Sequence, residues 1–95
     1  MITDLLKFTI KEEFLPEAIE HLREQAILIR DEDGCVTTKV FQSKGNALEL
    51  YMLVVWENRK ALERLQVTDF HRTFRQEMTG MMSLPLEIFD WETII

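Results

Sequence analysis

Apolar residues alternate along the first ten positions. Ile2, Leu6, Phe8 and Ile10 fall on one side and Leu5 on the other, which predicts a strand over Ile2–Ile10. Lys11-Glu12-Glu13 then forms an acidic first turn, a favourable helix start. Phe14, Ala18, Leu22, Ala26 and Ile29 recur at helical spacing, with Glu17, Glu20, His21, Arg23 and Glu24 on the water side. Asp31-Glu32-Asp33-Gly34 stops this helix, because Gly34 is free to take a left-handed conformation. A second strand is predicted over Cys35–Gln42, a turn at Ser43-Lys44-Gly45-Asn46, and a third strand over Leu48–Trp56. The third strand is apolar on both faces, with Leu48, Leu50, Met52 and Val54 opposite Tyr51, Leu53 and Val55, so cover on both faces is expected. Asn58 caps a short helix over Arg59–Leu65. Thr68-Asp69 starts another, with a stripe of Phe70, Phe74 and Met78, and Gly80 and Pro85 bracket its end. Leu86–Ile94 reads as a fourth strand, with Leu86 and Ile88 against Phe89 and Trp91.

The predicted order is β-α-β-β-α-β with the second helical region split, a ferredoxin-like α+β arrangement with an antiparallel sheet. Its helices cover one sheet face and leave the other, also apolar, without cover from this chain. A second copy of the sheet is the natural cover, so a homodimer is expected.

Composition narrows the picture. The chain has 95 residues, enough for one domain over residues 1–95 and one core. A net charge of −6 disfavours nucleic acid and anionic membranes as partners, since both reward Lys and Arg. No stretch is long enough to span a bilayer, and MITDLLKFTI lacks the basic start of a signal peptide. The single cysteine, Cys35, has no intrachain partner, which suits a cytoplasmic protein. The pattern contains no phosphate loop, no paired Cys and no paired-His helix motif, so neither a metal nor an organic cofactor is expected.

Among the titratable side chains, His71 stands out. It shares a helical face with Phe74, Arg75 and Met78 at spacings of three and four, on the border of the apolar stripe. An unperturbed imidazole there suits proton transfer near neutrality, and a boundary histidine bonded to a carbonyl or to water is the alternative. Trp56 and the Phe/Met stripe read either as core or as the wall of a cavity. Tyr51 reads as an interface residue, His21 as solvated surface and Cys35 as an inert thiol.

Gly34-Cys35, the polar turn at Ser43–Asn46, Trp56 and the helix directly after it resemble the core of the antibiotic biosynthesis monooxygenase family, small dimeric α+β barrel proteins. The resemblance implies two sheets facing each other as a barrel, and a pocket between the sheet and the second helical region. It also implies a small aromatic or quinol-like substrate there, which some members oxidise with dioxygen and no cofactor. On this sequence the pocket maps to Trp56, Leu65, Phe70, Phe74 and Met78 as substrate-binding residues, with His71 as the acid-base group. Val54 stands where the family commonly carries Glu, Leu65 where it carries His, and Phe70-His71 reverses a His-Phe pair. A non-oxygenase small-molecule binder or an isomerase on the same scaffold is the alternative that Val54 and Leu65 favour.

Overall fold

The computed structural model describes residues 1–95. Strand β1 (Ile2–Thr9) leads through one turn of 3-10 helix at Glu12–Phe14 into α1 (Leu15–Arg30). Strands β2 (Cys35–Gln42) and β3 (Glu49–Trp56) form a hairpin, followed by α2 (Arg59–Gln66), α3 (Asp69–Met81) and β4 (Glu87–Glu92). The strand order is β2-β3-β1-β4 and every neighbouring pair is antiparallel, the ferredoxin-like α+β arrangement expected from the pattern.

Local chemistry sets the boundaries. Pro16 sits in the first turn of α1, where its missing N–H costs nothing. The Asn58 side chain accepts the Ala61 N–H at 3.0 Å and starts α2. The Thr68 hydroxyl accepts the His71 N–H at 3.3 Å, which fixes where α3 begins and which way His71 faces. Gly34 has φ +85°, and an added Cβ would lie 2.5 Å from the Ala61 Cβ, so the α1–β2 turn is pressed against α2.

Several predicted boundaries shift. Ile10 leaves the strand to bridge Met82, and α1 proper starts only at Leu15. Leu48 lies before β3 because Asn46 accepts its N–H at 3.0 Å, which lengthens the loop. Gly80 and Pro85 bracket the end of α3 as expected, with Gly80 in its last turn and Met81 its last residue. Strand β4 covers six residues, since its pairing runs out where β1 does, at Ile2 opposite Glu92.

The core lies between the sheet and the helices. Leu6, Phe8, Leu50, Met52, Val54 and Trp56 meet Ala18, Leu22 and Ile29 of α1, together with α2 and α3. Burying each large side chain stabilises by about 1.5–3 kcal/mol relative to exposing it. The far face of the sheet carries Leu5, Tyr51, Leu53 and Val55, all half-buried, with Phe41, Phe89 and Trp91 exposed. Phe89 and Trp91 stack there at 5.8 Å, and Lys7 pairs with Glu49 at 3.0 Å and Glu87 at 3.5 Å across three strands. Within one chain β4 is covered on neither face: all six of its residues are exposed, because it is an edge strand that pairs only with β1.

Candidate functional site

Helix α3 turns His71, Phe74, Met78 and Met81 inward. Phe74 meets the Phe8 ring edge-on at 5.9 Å. Trp56, Leu65, Phe74 and Met78 all belong to one buried cluster, whereas Phe70 is half-buried beside it. Phe70 and Phe74 line a cleft of about 400 Å3 between α1 and α3, together with Gln25 and Leu28. The residues expected around one pocket are therefore gathered on α3 and its packing partners. Trp56 and Leu65 sit in the packed interior, and Phe70 opens toward α1.

His71 is 6% exposed, and its ring reaches α1. The Gln25 amide donates to Nδ1 at 3.1 Å, which leaves the ring proton on Nε2. Burial and the nearby Arg75 charge push its pKa down from 6.5 to about 4. The imidazole is thus neutral throughout the ordinary pH range, so the unperturbed value expected from sequence does not describe it.

The residue that sequence reasoning passed over is Asp4. It occupies the gap between Ile2 and Leu6 on the helix-facing side of β1, and it is 8% exposed. Burial first, and then the Asp90 charge, push its carboxyl up to about 6 against the opposing pull of Arg75 and Arg59. In the sheet it stands directly between Val54 of β3 and Asp90 of β4. A carboxylate is thus present one strand away from Val54, where the family pattern would place an acid. Arg59 of α2 reaches Asp90 at 3.0 Å. Two register positions along, opposite Ile2, Trp56 is fully buried and its indole N–H has no partner.

Arg75 acts on both Asp4 and His71, and it lines a cleft on either side of itself. One cleft, of about 350 Å3, runs past Phe8, Met78 and Leu86; the other, of about 410 Å3, runs past Gln66, His71 and Gln76. The most spacious opening, about 670 Å3, lies elsewhere, between α1 and β2. Its ionisable walls are Arg23, Arg30 and Lys39, with no proton acceptor among them. His21 is not simply solvated: it meets Glu77 at 3.2 Å and joins α1 to α3. The Cys35 thiol lies 3.2 Å from the Thr38 hydroxyl. No helix is long and apolar enough to cross a membrane.

The fold has known counterparts. A Nitrosomonas europaea protein, provisionally named an antibiotic biosynthesis monooxygenase, matches 100% of both chains with TM-score 0.93 at 16% identity. A Mycobacterium tuberculosis protein matches with TM-score 0.93 at 16% identity, over 99% of this chain and 95% of its own. A conserved protein from Methanosarcina mazei Go1 matches with TM-score 0.90 at 21% identity, over 95% and 89%. At these identities the likeness is one of fold. No curated protein matches the sequence. The sequence model of the antibiotic biosynthesis monooxygenase family matches residues 1–77, which take in Asp4, Trp56, Leu65, His71 and Arg75 and stop short of Met78 and β4. The chain belongs to the antibiotic biosynthesis monooxygenase family.

Proposed function

We propose that the chain is a cofactor-independent monooxygenase of a small aromatic or quinol-like compound, acting in the cytoplasm as a homodimer. The observation that carries this reading is that His71 and Asp4 are both buried and that Arg75 of α3 acts on both, His71 from the α1 side and Asp4 from the sheet. Groups perturbed in this way cluster at functional sites.

A substrate that is electron-rich once deprotonated reacts with dioxygen itself. The protein then has to exclude water, take a proton and orient the ring. Phe8, Met78 and Leu86 supply the apolar wall beside Arg75, with Trp56, Leu65 and Phe74 packed behind it and Phe70 on the α1 side. His71, neutral and protonated on Nε2, donates a hydrogen bond to a substrate oxygen as negative charge develops there. For a methylene substrate one dioxygen is consumed: one oxygen atom becomes the new carbonyl and the other leaves as water. The clefts beside Arg75 fall at the small end of the range for small-molecule sites. A second copy laid on the open sheet face covers the half-buried Leu5, Tyr51, Leu53 and Val55 and the exposed Phe89 and Trp91, a contiguous apolar face of the kind that marks an interaction surface.

A second reading, a non-oxygenase binder or isomerase on the same scaffold, is favoured by Val54 and Leu65, which put apolar side chains where the family pattern carries an acid and a histidine. Oxygen uptake separates the two. With dithranol (a hydroxylated anthrone) or naphthohydroquinone, the protein is expected to speed uptake well above the rate in buffer. His71→Ala is expected to slow it about a hundredfold, the low end for a lost hydrogen-bond donor to a developing oxyanion. An unchanged rate in a folded His71→Ala protein removes His71 from the site; no acceleration with either compound favours the binder.

A further inference from the structure

We propose that Asp4 is the proton acceptor for the acidic hydroxyl or enolisable C–H of a small aromatic ligand, in a site on the β4 side of α3 with Arg75 and the Arg59–Asp90 pair around it. This rests on the small-molecule reading above and supplies the base that reading lacks. His71 is a poor base, with its pKa near 4 and its Nδ1 engaged by Gln25.

The elements around Asp4 define its surroundings. Strand β3 contributes the apolar Val54, β4 the Asp90 carboxylate, α2 the Arg59 guanidinium and α3 the Arg75 guanidinium, with His71 one turn before it. Arg59 is committed to Asp90 at 3.0 Å, and Arg75 is in none of the ion pairs of the molecule. The chain gives the Asp4 carboxylate no hydrogen-bond donor, and its oxygens are not among the fully buried atoms left without a partner, so they stay open to water or to a ligand. A like charge stands directly across the strand pair, an arrangement that destabilises a sheet.

A ligand hydroxyl relieves both defects. Its O–H donates to Asp4. On transfer the O–H bond breaks, a new O–H bond forms on the carboxylate, and the electron pair stays on the ligand oxygen. That oxygen then carries its negative charge beside Arg75, and protonated Asp4 no longer repels Asp90. The Asp4 carboxyl, raised to about 6, is ionised at neutral pH yet close enough to it to take and return a proton. The ligand class is a phenol, quinol or anthrone, acidic enough to ionise next to a guanidinium and small enough for the cleft that Arg75 lines with Phe8, Met78 and Leu86.

The test uses alizarin, whose visible spectrum reports its ionisation. Wild-type protein, Asp4→Asn and the exposed control Glu13→Gln are titrated into it at neutral pH, while carboxyl NMR follows Asp4 itself. Wild type and Glu13→Gln are expected to bind and shift alizarin toward its anion spectrum, and Asp4 is expected to titrate at about pH 6 and to move when alizarin binds. Asp4→Asn is expected to weaken binding at least tenfold and to abolish the spectral shift.

The Asn variant should fold. The raised carboxyl contributes stability that is complete below its unfolded value near 3.8 and lost as pH rises through about 6, so at neutral pH a neutral amide removes a cost. Alizarin that binds Asp4→Asn as tightly as wild type, or an Asp4 signal that alizarin never moves, overturns the proposal. Asp4-dependent binding without oxygen uptake from dithranol sinks the oxygenase reading and leaves Asp4 standing. Dithranol oxidised equally by wild type and Asp4→Asn does the reverse.

Discussion

Leu53→Asp is expected to turn the proposed dimer into a monomer, raising its dissociation constant at least about a thousandfold. Leu53 sits at the centre of the open sheet face, paired with Leu5 of β1 on one side and Lys39 of β2 on the other. A two-fold contact puts the same residue in the interface twice, so each substitution buries two carboxylates and drags the Lys39 ammonium across the strand pair into the contact with each. Taking ions out of water costs several kcal/mol each even where a partner lies near, and about 4 kcal/mol is already a thousandfold. Sedimentation at micromolar concentration reads the outcome. Wild type is expected to run as two chains per particle, Leu53→Asp as one, with its secondary structure intact because Leu53 does not belong to the helix-side core. Trp91→Glu is expected to act in the same direction through the loss of the Phe89–Trp91 stack. Wild type that runs as a monomer removes the homodimer from the proposal.

Gly34→Ala is expected to destabilise the fold by about 2–4 kcal/mol. A left-handed backbone costs an L-residue about 1–2 kcal/mol. The new Cβ would also stand 2.5 Å from the Ala61 Cβ, and overpacking of that kind adds about 1–3 kcal/mol. Relief requires moving α2 away from the α1–β2 turn. That disturbs the Glu57 N–H bond to the Gly34 carbonyl, at 2.8 Å, and the Asn58 cap that follows it. Gly80→Ala is the control: it lies in a helix with nothing near its would-be Cβ, and it is expected to stabilise by about 0.5–1 kcal/mol. Chemical denaturation at one fixed protein concentration compares the two. A Gly34→Ala midpoint equal to wild type contradicts the close approach at Ala61.

These two glycines show what the sequence carried and what it did not. Asp31-Glu32-Asp33-Gly34 did mark the end of α1, although the helix stops at Arg30 and Gly34 is the left-handed residue of the turn after it. Gly80 and Pro85 did bracket the end of α3; what they did not show is that Gly80 itself is helical, with Met81 the last residue. Element order and face assignment on β3 were legible, since strict alternation leaves only one way to bury Leu50, Met52, Val54 and Trp56.

The site was legible only in part. The apolar stripe placed Phe74 and Met78 correctly on the inner face of α3 and brought His71 to it. The environment of His71 was not readable: Gln25 lies on a different helix, 46 positions away, and the loss of basicity comes from burial that only the tertiary structure sets. Asp4 had a local signal, a carboxylate on the apolar side of a strand, but that pattern also fits an edge position open to water. Its meaning depends on the register that sets Asp90 opposite it and on α3 bringing Arg75 near.

The most direct measurement of the proposed chemistry is mass spectrometry of the product formed from dithranol under isotopically labelled dioxygen. A monooxygenase acting as described places one labelled oxygen atom in the organic product as a new carbonyl, at a rate that depends on intact protein and on Asp4. A product that carries no label, or one that forms as fast in buffer as with the protein, contradicts it.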